Sequence, residues 1–435
     1  MRKSKTNGKF WAALVIFSLI GQVAWVVENM YFNVFIYKMF HASASAISAM
    51  VGASAAAATV TTLIIGALSD KLGKRKLFIC GGYIVWGITI WSFSLIRMDV
   101  INAWFPAAAS AASVGVSLVI IMDCVMTFFG SSANDACFNA WLTDMTDETN
   151  RGAAEGINSM MPLVAILVVF GGFMSFDLNQ SDSWVTIFNI IGVVVIAIGV
   201  LGVFLIREPE VKTEDNQNYF ANIFYGFRPG VIGANKTLYA TFLAVAAFNI
   251  SIQIFMPYLI LYYSVTLKME NYVLIMAPAI ILAAIFTAFY GRVYDRVGFR
   301  KAVILPVALL MGGYVFLYFC RGTALVFVGS LLMMCGNLSG GAMFGAMIRD
   351  NTPANKTGMF QGLRIFSQVL IPGIVGPAIG AAVLKNAETI LNDDGTTSFI
   401  PNANIYLAAF VAGIAIWAVL YFVFRLMKKE ESHAA

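Results

Sequence analysis

Charged side chains are scarce in this chain, because only 12% of its 435 residues are Asp, Glu, Lys or Arg. A soluble chain of this length needs more charge than that to cover its surface. Hydrophobic residues make up 60% of the sequence, and the mean hydropathy is +0.80. Apolar runs of about 20 residues recur along the chain and are long enough to cross a bilayer as helices. The composition therefore excludes a soluble globular protein and predicts a multi-pass membrane protein.

Several chemical motifs are absent as well. The five cysteines include no CxxC pair, which argues against a disulfide framework and against a cysteine metal site. The two histidines, His41 and His433, fall in a loop and in the tail, so no intramembrane histidine is available for a metal site or a proton relay. HExxH, GxSxG and Walker A motifs are missing, which argues against an enzyme and against an ATP-driven pump. We expect no cofactor and, because the net charge of +5 is spread over short loops, no nucleic-acid partner.

The apolar runs fall into two groups of six, separated by the longest polar segment. We therefore predict an N-terminal six-helix bundle (1–206), a cytoplasmic central loop (207–237) and a C-terminal six-helix bundle (238–435). The predicted fold class is an all-α integral membrane protein with twelve transmembrane helices in two pseudo-symmetric bundles. The predicted spans are 10–37, 45–69, 77–96, 113–141, 153–175, 184–206, 238–264, 271–291, 302–320, 324–348, 358–384 and 403–426.

The distribution of basic residues predicts the orientation. Cytoplasmic loops of membrane proteins carry an excess of Lys and Arg. With the N-terminus in the cytoplasm, most of the 28 basic residues lie on the cytoplasmic side, and Arg364 lies inside a predicted span. The opposite loops hold only Lys38, Arg97, Lys268, Arg321 and Lys385. We therefore expect both termini to be cytoplasmic and the protein to lie in the cell (inner) membrane.

Two motifs occur twice. The stretch GALSDKLGKRK (66–76) shares its Gly, Asp, Gly, Arg and Lys frame with GRVYDRVGFRK (291–301). TDMTDETNRGAAEG (143–156) aligns in the same way with RDNTPANKTGMFQG (349–362). Because both repeats fall at corresponding loops of the two halves, the sequence predicts an internal duplication. Parallel repeats of six spans are a plan that transporters use.

The first repeated loop is dense in charge. Gly66 and Gly73 permit a tight turn, and we expect Asp70 to accept backbone N–H groups at the start of the next helix. The alternative is that the loop only fixes topology through its positive charge. The recurrence of Gly and Asp in register argues against that alternative, since topology needs charge alone.

The GALSDKLGKRK loop resembles the signature of the major facilitator superfamily, and GRVYDRVGFRK resembles its second-half copy. In that family the loop acid helps to lock one conformation of an alternating-access cycle. The resemblance implies that Asp70 and Asp295 are gating residues with Arg75 and Arg300 as their ionic partners. The acids of the second repeated motif, Asp144 and Asp350, complete the predicted gating set.

A finer resemblance rests on SSANDACFNAWLTDMTDE (131–148), IRDNTPANKTGMFQGLR (348–364) and LIPGIVGPAIG (370–380). These stretches resemble the glycoside–pentoside–hexuronide:cation symporters, the group of melibiose permease. The resemblance implies that Asp135 is the acid of the fourth span and Glu28 that of the first. This chain lacks the paired acids that sodium-coupled members carry in the second span. We therefore expect H⁺ or Na⁺ as the coupling cation, with H⁺ favoured.

Polar residues inside the spans are candidate functional residues, since an ionisable side chain in lipid costs a few kcal/mol. Trp25, Glu28, Asn29 and Phe32 are spaced so that they share one face of a helix. An aromatic ring on that face can stack on the apolar face of a sugar, while the carboxylate accepts hydrogen bonds from its hydroxyls. The alternative for Glu28 is a structural ion pair or a position at the extracellular mouth. Asp135, with Ser131, Asn134 and Asn139, is predicted to bind substrate or cation. Asp123 lies about 120° around the same ideal helix, so it is a lesser candidate for cation coupling; the alternative is a role near the extracellular end.

In the second half, Asn249 and Gln253 lie one turn apart and are predicted substrate contacts. Pro257 is expected to break the helix just beyond them, as a cavity feature or as a plain kink. Tyr262 is expected in the interfacial aromatic belt, and Tyr258 either there or in the site. Arg364 forms a stripe with Gln361 and Gln368 and is expected to contact substrate or to close an inner gate; the alternative is an arginine that snorkels to the headgroups.

Cation-coupled uptake of a sugar or glycoside by alternating access is the function these residues favour. The substrate is then a small molecule, the surrounding partner is the lipid bilayer, and we expect a monomer. An exporter of amphipathic compounds on the same fold is the main alternative, against which the amide-rich spans argue. A non-transporting membrane sensor is less favoured, because no large soluble segment accompanies the spans.

Overall fold

The computed structural model describes residues 8–108, 110–147, 150–208, 225–269, 271–352, 357–392 and 395–434. Within these ranges, twelve helices are long and apolar enough to cross a membrane. Spans 1 to 12 are, in order, Gly8–Phe40, Ala44–Leu72, Arg75–Leu95, Ala111–Met145, Arg151–Phe173, Ser181–Leu205, Lys236–Thr266, Val273–Val297, Phe299–Phe319, Thr323–Asn351, Gly362–Leu384 and Asn404–Glu430. The predicted fold class and the multi-pass membrane character are confirmed.

Helix boundaries follow local chemistry. Span 2 begins after Ser43, whose hydroxyl accepts the Ala46 N–H at 3.2 Å, and span 4 begins after Ser110, whose hydroxyl accepts the Ser113 N–H at 3.3 Å. Such N-caps satisfy N–H groups that have no partner within the helix. Span 2 ends where Gly73 adopts φ 61°, a left-handed conformation that favours glycine.

The chain divides into two units, Met1–Asn218 (unit 1) and Tyr219–Ala435 (unit 2). The boundary falls within the predicted 207–237 segment, and residues 209–224 of that segment lie outside the described residues. Unit 1 contains spans 1 to 6, and unit 2 contains spans 7 to 12. Each unit has its own helix pairings.

The two units use the same set of helix pairings. In unit 1, span 3 packs on span 6, span 1 on spans 5 and 6, and span 4 on spans 2 and 3. In unit 2, span 9 packs on span 12, span 7 on spans 11 and 12, and span 10 on spans 8 and 9. Each pairing in unit 2 corresponds to one in unit 1 six spans earlier. This correspondence supports the internal duplication that the repeated motifs predict.

Several spans depart from regular α-helix. Wider π-helical turns occur at Val27–Tyr31 in span 1, Ser131–Phe138 in span 4, Tyr262–Thr266 in span 7 and Phe366–Leu370 in span 11. Such turns interrupt the regular hydrogen-bond ladder and are frequent at functional sites. Two of the four contain an acid of the predicted site, Glu28 and Asp135.

The sequence analysis did not predict a short hairpin between spans 11 and 12. Strand β1 (Thr389–Leu391) pairs antiparallel with β2 (Thr397–Phe399), with Thr389 opposite Phe399. The turn contains Gly395 at φ 80°. Each strand has three residues, too few for alternation to mark a strand in the sequence.

Buried charge is confined to unit 1 in the part of the chain that the structure describes. The buried charged side chains there are Glu28, Arg75 and Asp123. In unit 2 the buried polar side chains are Ser and Thr, accompanied by tyrosines such as Tyr258, Tyr263 and Tyr406. The repeated architecture therefore encloses different chemistry in its two copies.

Candidate functional site

Glu28 is the centre of a polar cluster that joins three spans. It is only 6% exposed. Its Oε1 atom accepts hydrogen bonds from the Ser54 hydroxyl of span 2 at 2.6 Å and from the Thr127 hydroxyl of span 4 at 2.8 Å. The two hydroxyl oxygens are themselves 2.8 Å apart. Three oxygens from three helices therefore lie within hydrogen-bond distance of one another.

The cluster lacks one hydrogen. Each hydroxyl carries a single hydrogen to donate, so Ser54 and Thr127 supply two hydrogens for three oxygen–oxygen contacts. The second carboxylate oxygen of Glu28, Oε2, is buried and has no hydrogen-bond partner in the described chain. A buried acceptor without a partner is costly. A proton on Oε1 would give the third oxygen–oxygen contact its hydrogen, while Oε2 would still have no partner among the described residues.

Asp123 lies beside this cluster. It is 2% exposed, and its Oδ1 atom has no hydrogen-bond partner among the described residues. Thr127 follows it by one helical turn on the same face, and the Asp123 and Glu28 carboxyl groups are close enough to interact electrostatically. Asp123 therefore lies beside Glu28, and both its part in cation coupling and the alternative near the extracellular end remain predictions. The 120° angle to Asp135 assumes a regular α-helix, whereas π-helical turns at Ser131–Phe138 intervene.

Asp135 is half-buried in span 4, and the Ser131 hydroxyl donates to its Oδ2 atom at 3.0 Å. The Trp25 indole N–H is near Asp135 but is not aligned for a hydrogen bond. Trp25 packs against Trp86 of span 3, with ring centroids 5.0 Å apart. Asp135 and Glu28 also interact electrostatically. The Trp25 indole therefore lies beside Asp135, whereas the sequence analysis paired it with Glu28.

Amides continue this polar surface. Asn29 and Asn139 are exposed, and each donates to the backbone carbonyl one turn earlier in its own helix. The side-chain amide of Asn158, in span 5, donates a hydrogen bond to the side-chain oxygen Oδ1 of Asn139 at 3.4 Å. Its own Oδ1 accepts a hydrogen bond from the Ser18 hydroxyl at 2.5 Å. Spans 1, 4 and 5 are thus linked by neutral hydrogen-bonding groups, which suit the hydroxyls of a polar substrate.

Phe32 does not share the face of Trp25, Glu28 and Asn29. It is 1% exposed and packs on Phe93 and Phe188, with ring centroids 4.6 and 5.6 Å away. The π-helical turn at Val27–Tyr31 changes the angular position of the residues that follow it. The predicted common face is therefore wrong for Phe32.

A second polar cluster lies at the charged loop of unit 1. Arg75, whose side chain is 5% exposed, forms an ion pair with Asp70 and another with Asp144 at 3.1 Å. Its guanidinium also donates to the Ser69 hydroxyl at 2.6 Å. The structure therefore brings together Asp70, Arg75 and Asp144 of the predicted gating set.

Asp70 does not accept backbone N–H groups at the start of span 3, contrary to the sequence analysis. The carboxylate at that position belongs to Glu208, whose two oxygens each lie 3.2 Å from the Lys76 amide nitrogen. Asp70 is instead drawn to Arg75. Glu208 reaches span 3 because the Trp141 indole N–H donates to the adjacent Arg207 carbonyl at 2.9 Å.

Unit 2 does not repeat the first loop's ion pair. Asp295 is exposed and forms no ion pair with Arg300, which donates to the Phe424 carbonyl at 3.1 Å. The turn is the physical reason, because Gly298 alone separates spans 8 and 9, whereas Gly73 and Lys74 separate spans 2 and 3. Asp350 still bonds to the end of span 8, where it accepts a hydrogen bond from the Tyr294 hydroxyl.

The regular α-helix of span 7 ends at Phe255, as predicted for an interruption at Pro257. The chain passes through Pro257 as a 3₁₀ turn at Met256–Tyr258 and remains helical to Thr266. Asn249 and Gln253 are half-buried one turn apart, as predicted. Tyr262 is fully buried and packs on Tyr406 with centroids 5.2 Å apart, so its predicted place in the aromatic belt is wrong.

Arg364 is exposed within unit 2, and its Nε donates a hydrogen bond to the side-chain oxygen Oε1 of Gln368 at 3.0 Å. Arg364 and Gln368 of the predicted polar stripe are therefore in contact. The third, Gln361, has a side chain that lies outside the described residues. The predicted roles of Arg364 in substrate contact or gating remain predictions.

Comparison with known proteins settles the family. The sequence profile of the Major Facilitator Superfamily matches residues 10–377. The chain belongs to the major facilitator superfamily. No curated protein sequence matches it.

Solved structures of this superfamily's fold resemble the chain closely in shape and weakly in sequence. A point mutant of the nucleoside transporter NupG has a TM-score of 0.73 and 12% identity, covering 95% of this chain and 99% of that one. A bacterial homolog of the human lysosomal transporter Spinster, inward-facing and unoccupied, has a TM-score of 0.67 and 15% identity, covering 96% of each chain. The xylose transporter XylE from E. coli, in a partially occluded inward-open conformation, has a TM-score of 0.66 and 14% identity, covering 95% of this chain and 97% of that one. At these identities the likeness shows the fold.

Sequence reasoning missed Ser54, Thr127 and Glu208 in this superfamily member. Ser54 stands in a run of Ala, Ser and Gly, where a single hydroxyl gives no periodic signal. Thr127 carried a signal, since it lies four residues after Asp123 on the same helical face. Glu208 looked like one charge among many in the central loop, and its long-range contact with Lys76 is not visible in the sequence.

Proposed function

We propose that this superfamily member is a secondary active transporter that couples uptake of a sugar or glycoside to an inward cation gradient. The observation that carries the proposal is the cluster of Glu28, Ser54 and Thr127, which lacks one hydrogen and lies beside Asp123. Buried acids in a membrane protein are costly and are usually kept for ion or substrate pathways. A cation that binds this cluster can favour the substrate-competent conformation over the other one.

The proposed coupling residues are Glu28, Asp123 and Asp135. The oxygen–oxygen distances of 2.6 to 2.8 Å in the Glu28 cluster are hydrogen-bond lengths, so a proton completes it without rearrangement. A sodium ion requires the same oxygens to turn toward a common centre. We therefore propose H⁺ as the coupling ion, and Na⁺ is the alternative that the experiment distinguishes.

The proposed substrate contacts in unit 1 are Trp25, Glu28, Asn29, Asp135 and Asn139. An indole face stacks on the apolar face of a sugar ring, while carboxylates and amides bond its hydroxyls. In unit 2 we propose Asn249, Gln253 and Arg364 as further contacts. The resemblance to glycoside–pentoside–hexuronide:cation symporters supports a glycoside. So do two transporters of similar fold, one for nucleosides and one for xylose, because a nucleoside is also a glycoside.

We propose alternating access with Asp70, Arg75 and Asp144 as a gating cluster, and with Asp295, Arg300 and Asp350 as the corresponding residues of unit 2. The bias of basic residues supports a cell-membrane protein with both termini in the cytoplasm. We further propose that the protein acts as a monomer, since each unit has its own core.

Uptake into proteoliposomes tests this proposal. Radiolabelled monosaccharides, disaccharides and nucleosides are presented with an inward proton gradient, with an inward sodium gradient, and with neither. We expect accumulation of one class under the proton gradient alone. Accumulation under the sodium gradient alone would show that Na⁺, and not H⁺, is the coupling ion.

Glu28→Gln gives the matched control for coupling, because it keeps the shape of the side chain and removes its charge. We expect the variant to lose gradient-driven accumulation. If no sugar or nucleoside accumulates, and amphipathic dyes are instead expelled, the symport proposal is wrong and export replaces it.

A further inference from the structure

A basic cavity lies at one end of unit 1. Its volume is about 440 Å³, and its wall includes Lys9, Lys76, Trp141 and Arg207. Lys9 stands at the start of span 1, Lys76 at the start of span 3, Trp141 in the last turns of span 4, and Arg207 directly after span 6. The cavity therefore lies where four apolar helices give way to polar chain ends, the level at which lipid headgroups are found.

No acid forms an ion pair with the cationic groups of this cavity in the part of the chain that the structure describes. Within the described ranges, the ion pairs are those of Arg75 and Arg97, and none involves Lys9, Lys76 or Arg207. The one carboxylate of the wall, Glu208, is directed at the Lys76 backbone N–H. The wall thus has an excess of positive charge that is available to a ligand from outside the chain.

The same cavity has an apolar border. Phe204, in the last turn of span 6, contributes to its wall and is 73% exposed. An aromatic side chain that is this exposed at the end of a membrane-spanning helix lies against acyl chains or at the interface. A ligand that satisfies both borders needs an anionic group beside the cations and hydrocarbon beside Phe204.

We propose that this cavity binds the headgroup of an anionic phospholipid. Basic pockets between spans on the cytoplasmic side suit such headgroups. The Arg207 guanidinium can bond two phosphate oxygens at once, while the Lys9 and Lys76 ammonium groups act as point charges. Inorganic phosphate shares the anionic chemistry, but it has no group to place against Phe204.

Native mass spectrometry of the purified full chain tests this site, with phosphatidylglycerol and phosphatidylcholine as the probes. We expect phosphatidylglycerol to be retained in preference to phosphatidylcholine. Each cationic group removed should weaken phosphatidylglycerol binding roughly fivefold. The combined variant Lys9→Gln, Lys76→Gln, Arg207→Gln should therefore lose on the order of 100-fold in affinity.

The matched control is the triple variant Arg425→Gln, Lys428→Gln, Lys429→Gln, which removes three positive charges at the end of span 12. It should retain phosphatidylglycerol as the unaltered chain does. Equal retention by the cavity variant and this control overturns the proposal, as does equal retention of the two lipids.

A single-residue variant and a competition with inorganic phosphate complete the test. If the combined cavity variant does not fold, Lys9→Gln alone is measured, because Lys9 is exposed in the first turn of span 1. Its binding should fall roughly fivefold and should return with Lys9→Arg; unchanged binding refutes the site. Inorganic phosphate in excess should not displace the lipid, and displacement would assign the cavity to a soluble phosphate instead.

Discussion

Thr127 of span 4 donates a hydrogen bond of 2.8 Å to Glu28 of span 1, 99 residues earlier in the chain. Through Ser54 the same carboxylate is also bonded to span 2. A single side chain therefore holds three helices of unit 1 at a buried position. The protonation state of Glu28 decides how many of the oxygen–oxygen contacts with Ser54 and Thr127 have a hydrogen. Binding of a cation at Glu28 is therefore linked to the packing of these three helices.

Replacing Thr127 by valine tests this link, since it keeps the volume and removes the hydroxyl. We expect a loss of about 1–3 kcal/mol in the free energy of unfolding, because a buried carboxylate loses a donor. Gradient-driven accumulation should fall as well. Stability is measured by thermal unfolding in detergent and accumulation in proteoliposomes.

Thr59→Val is the control for that substitution. Thr59 is equally buried, but its hydroxyl donates to the Ala55 carbonyl of its own helix at 2.8 Å. Its replacement should cost less than about 1 kcal/mol and should leave accumulation unchanged. Equal effects of the two substitutions would show that the Thr127 contact has no special role.

Asp135→Asn should separate coupling from transport. The substitution keeps the shape of the side chain and its contact with Ser131 while removing the ionisable group. We expect gradient-driven accumulation to be lost while exchange of labelled for unlabelled substrate survives. Asp182→Asn, at an exposed position at the start of span 6, should behave as the unaltered chain. Full accumulation by Asp135→Asn would refute the coupling assignment.

Asp70→Asn and Asp295→Asn should differ in effect, although the two residues occupy equivalent positions of the repeat. Asp70 pairs with a buried Arg75, so its neutralisation should lower the free energy of unfolding by about 1–3 kcal/mol, a value reduced by the partial exposure of Asp70. Asp295 is exposed and has no ion pair with Arg300, so its change should stay within about 0.5 kcal/mol. Thermal unfolding of both variants gives the comparison, and equal losses would contradict it.

Gly82 and Gly81 provide a packing test beside the candidate site. A Cβ atom on Gly82 would lie 2.6 Å from the Ala133 Cβ in the π-helical part of span 4, whereas one on Gly81 meets nothing within 4 Å. Gly82→Ala should therefore destabilise the protein by about 1–3 kcal/mol. Gly81→Ala should be neutral or stabilising by up to about 1 kcal/mol, because alanine favours helix. Unfolding temperatures that fall equally would mean that spans 3 and 4 are not in close contact.

The sequence predicted the contacts of the proposed gating residues better in unit 1 than in unit 2. Asp70 and Arg75 are five residues apart across a tight turn, and the second repeated motif indicated Asp144. The same pattern failed for Asp295 and Arg300, because the turn between spans 8 and 9 is one residue shorter. A motif records which residues are present, whereas turn length decides which of them meet.

The candidate site shows a different limit. Glu28 and Asp135 are recognisable as acids inside apolar runs, so the sequence alone marks them as candidate site residues. The angle between Asp123 and Asp135 could not be predicted, since the calculation assumes a regular α-helix through Ser131–Phe138. Nothing in the residue types of that stretch specifies its wider turns, and the contact of Ser54 with Glu28 depends on packing between helices.

The confinement of buried charge to unit 1 has an electrical consequence. A membrane voltage acts on charges according to their depth in the bilayer, with about 2.3 kcal/mol per elementary charge for each 100 mV crossed in full. Ser, Thr and Tyr hydroxyls, which form the buried polar groups of unit 2 in the described ranges, carry no net charge for the voltage to act on. Within the described ranges, a change of membrane potential therefore acts on fully buried charge through Glu28, Asp123 and Arg75 of unit 1. The half-buried Asp135 of span 4 and the exposed Arg364 of span 11 also lie within spans and are open to the same field.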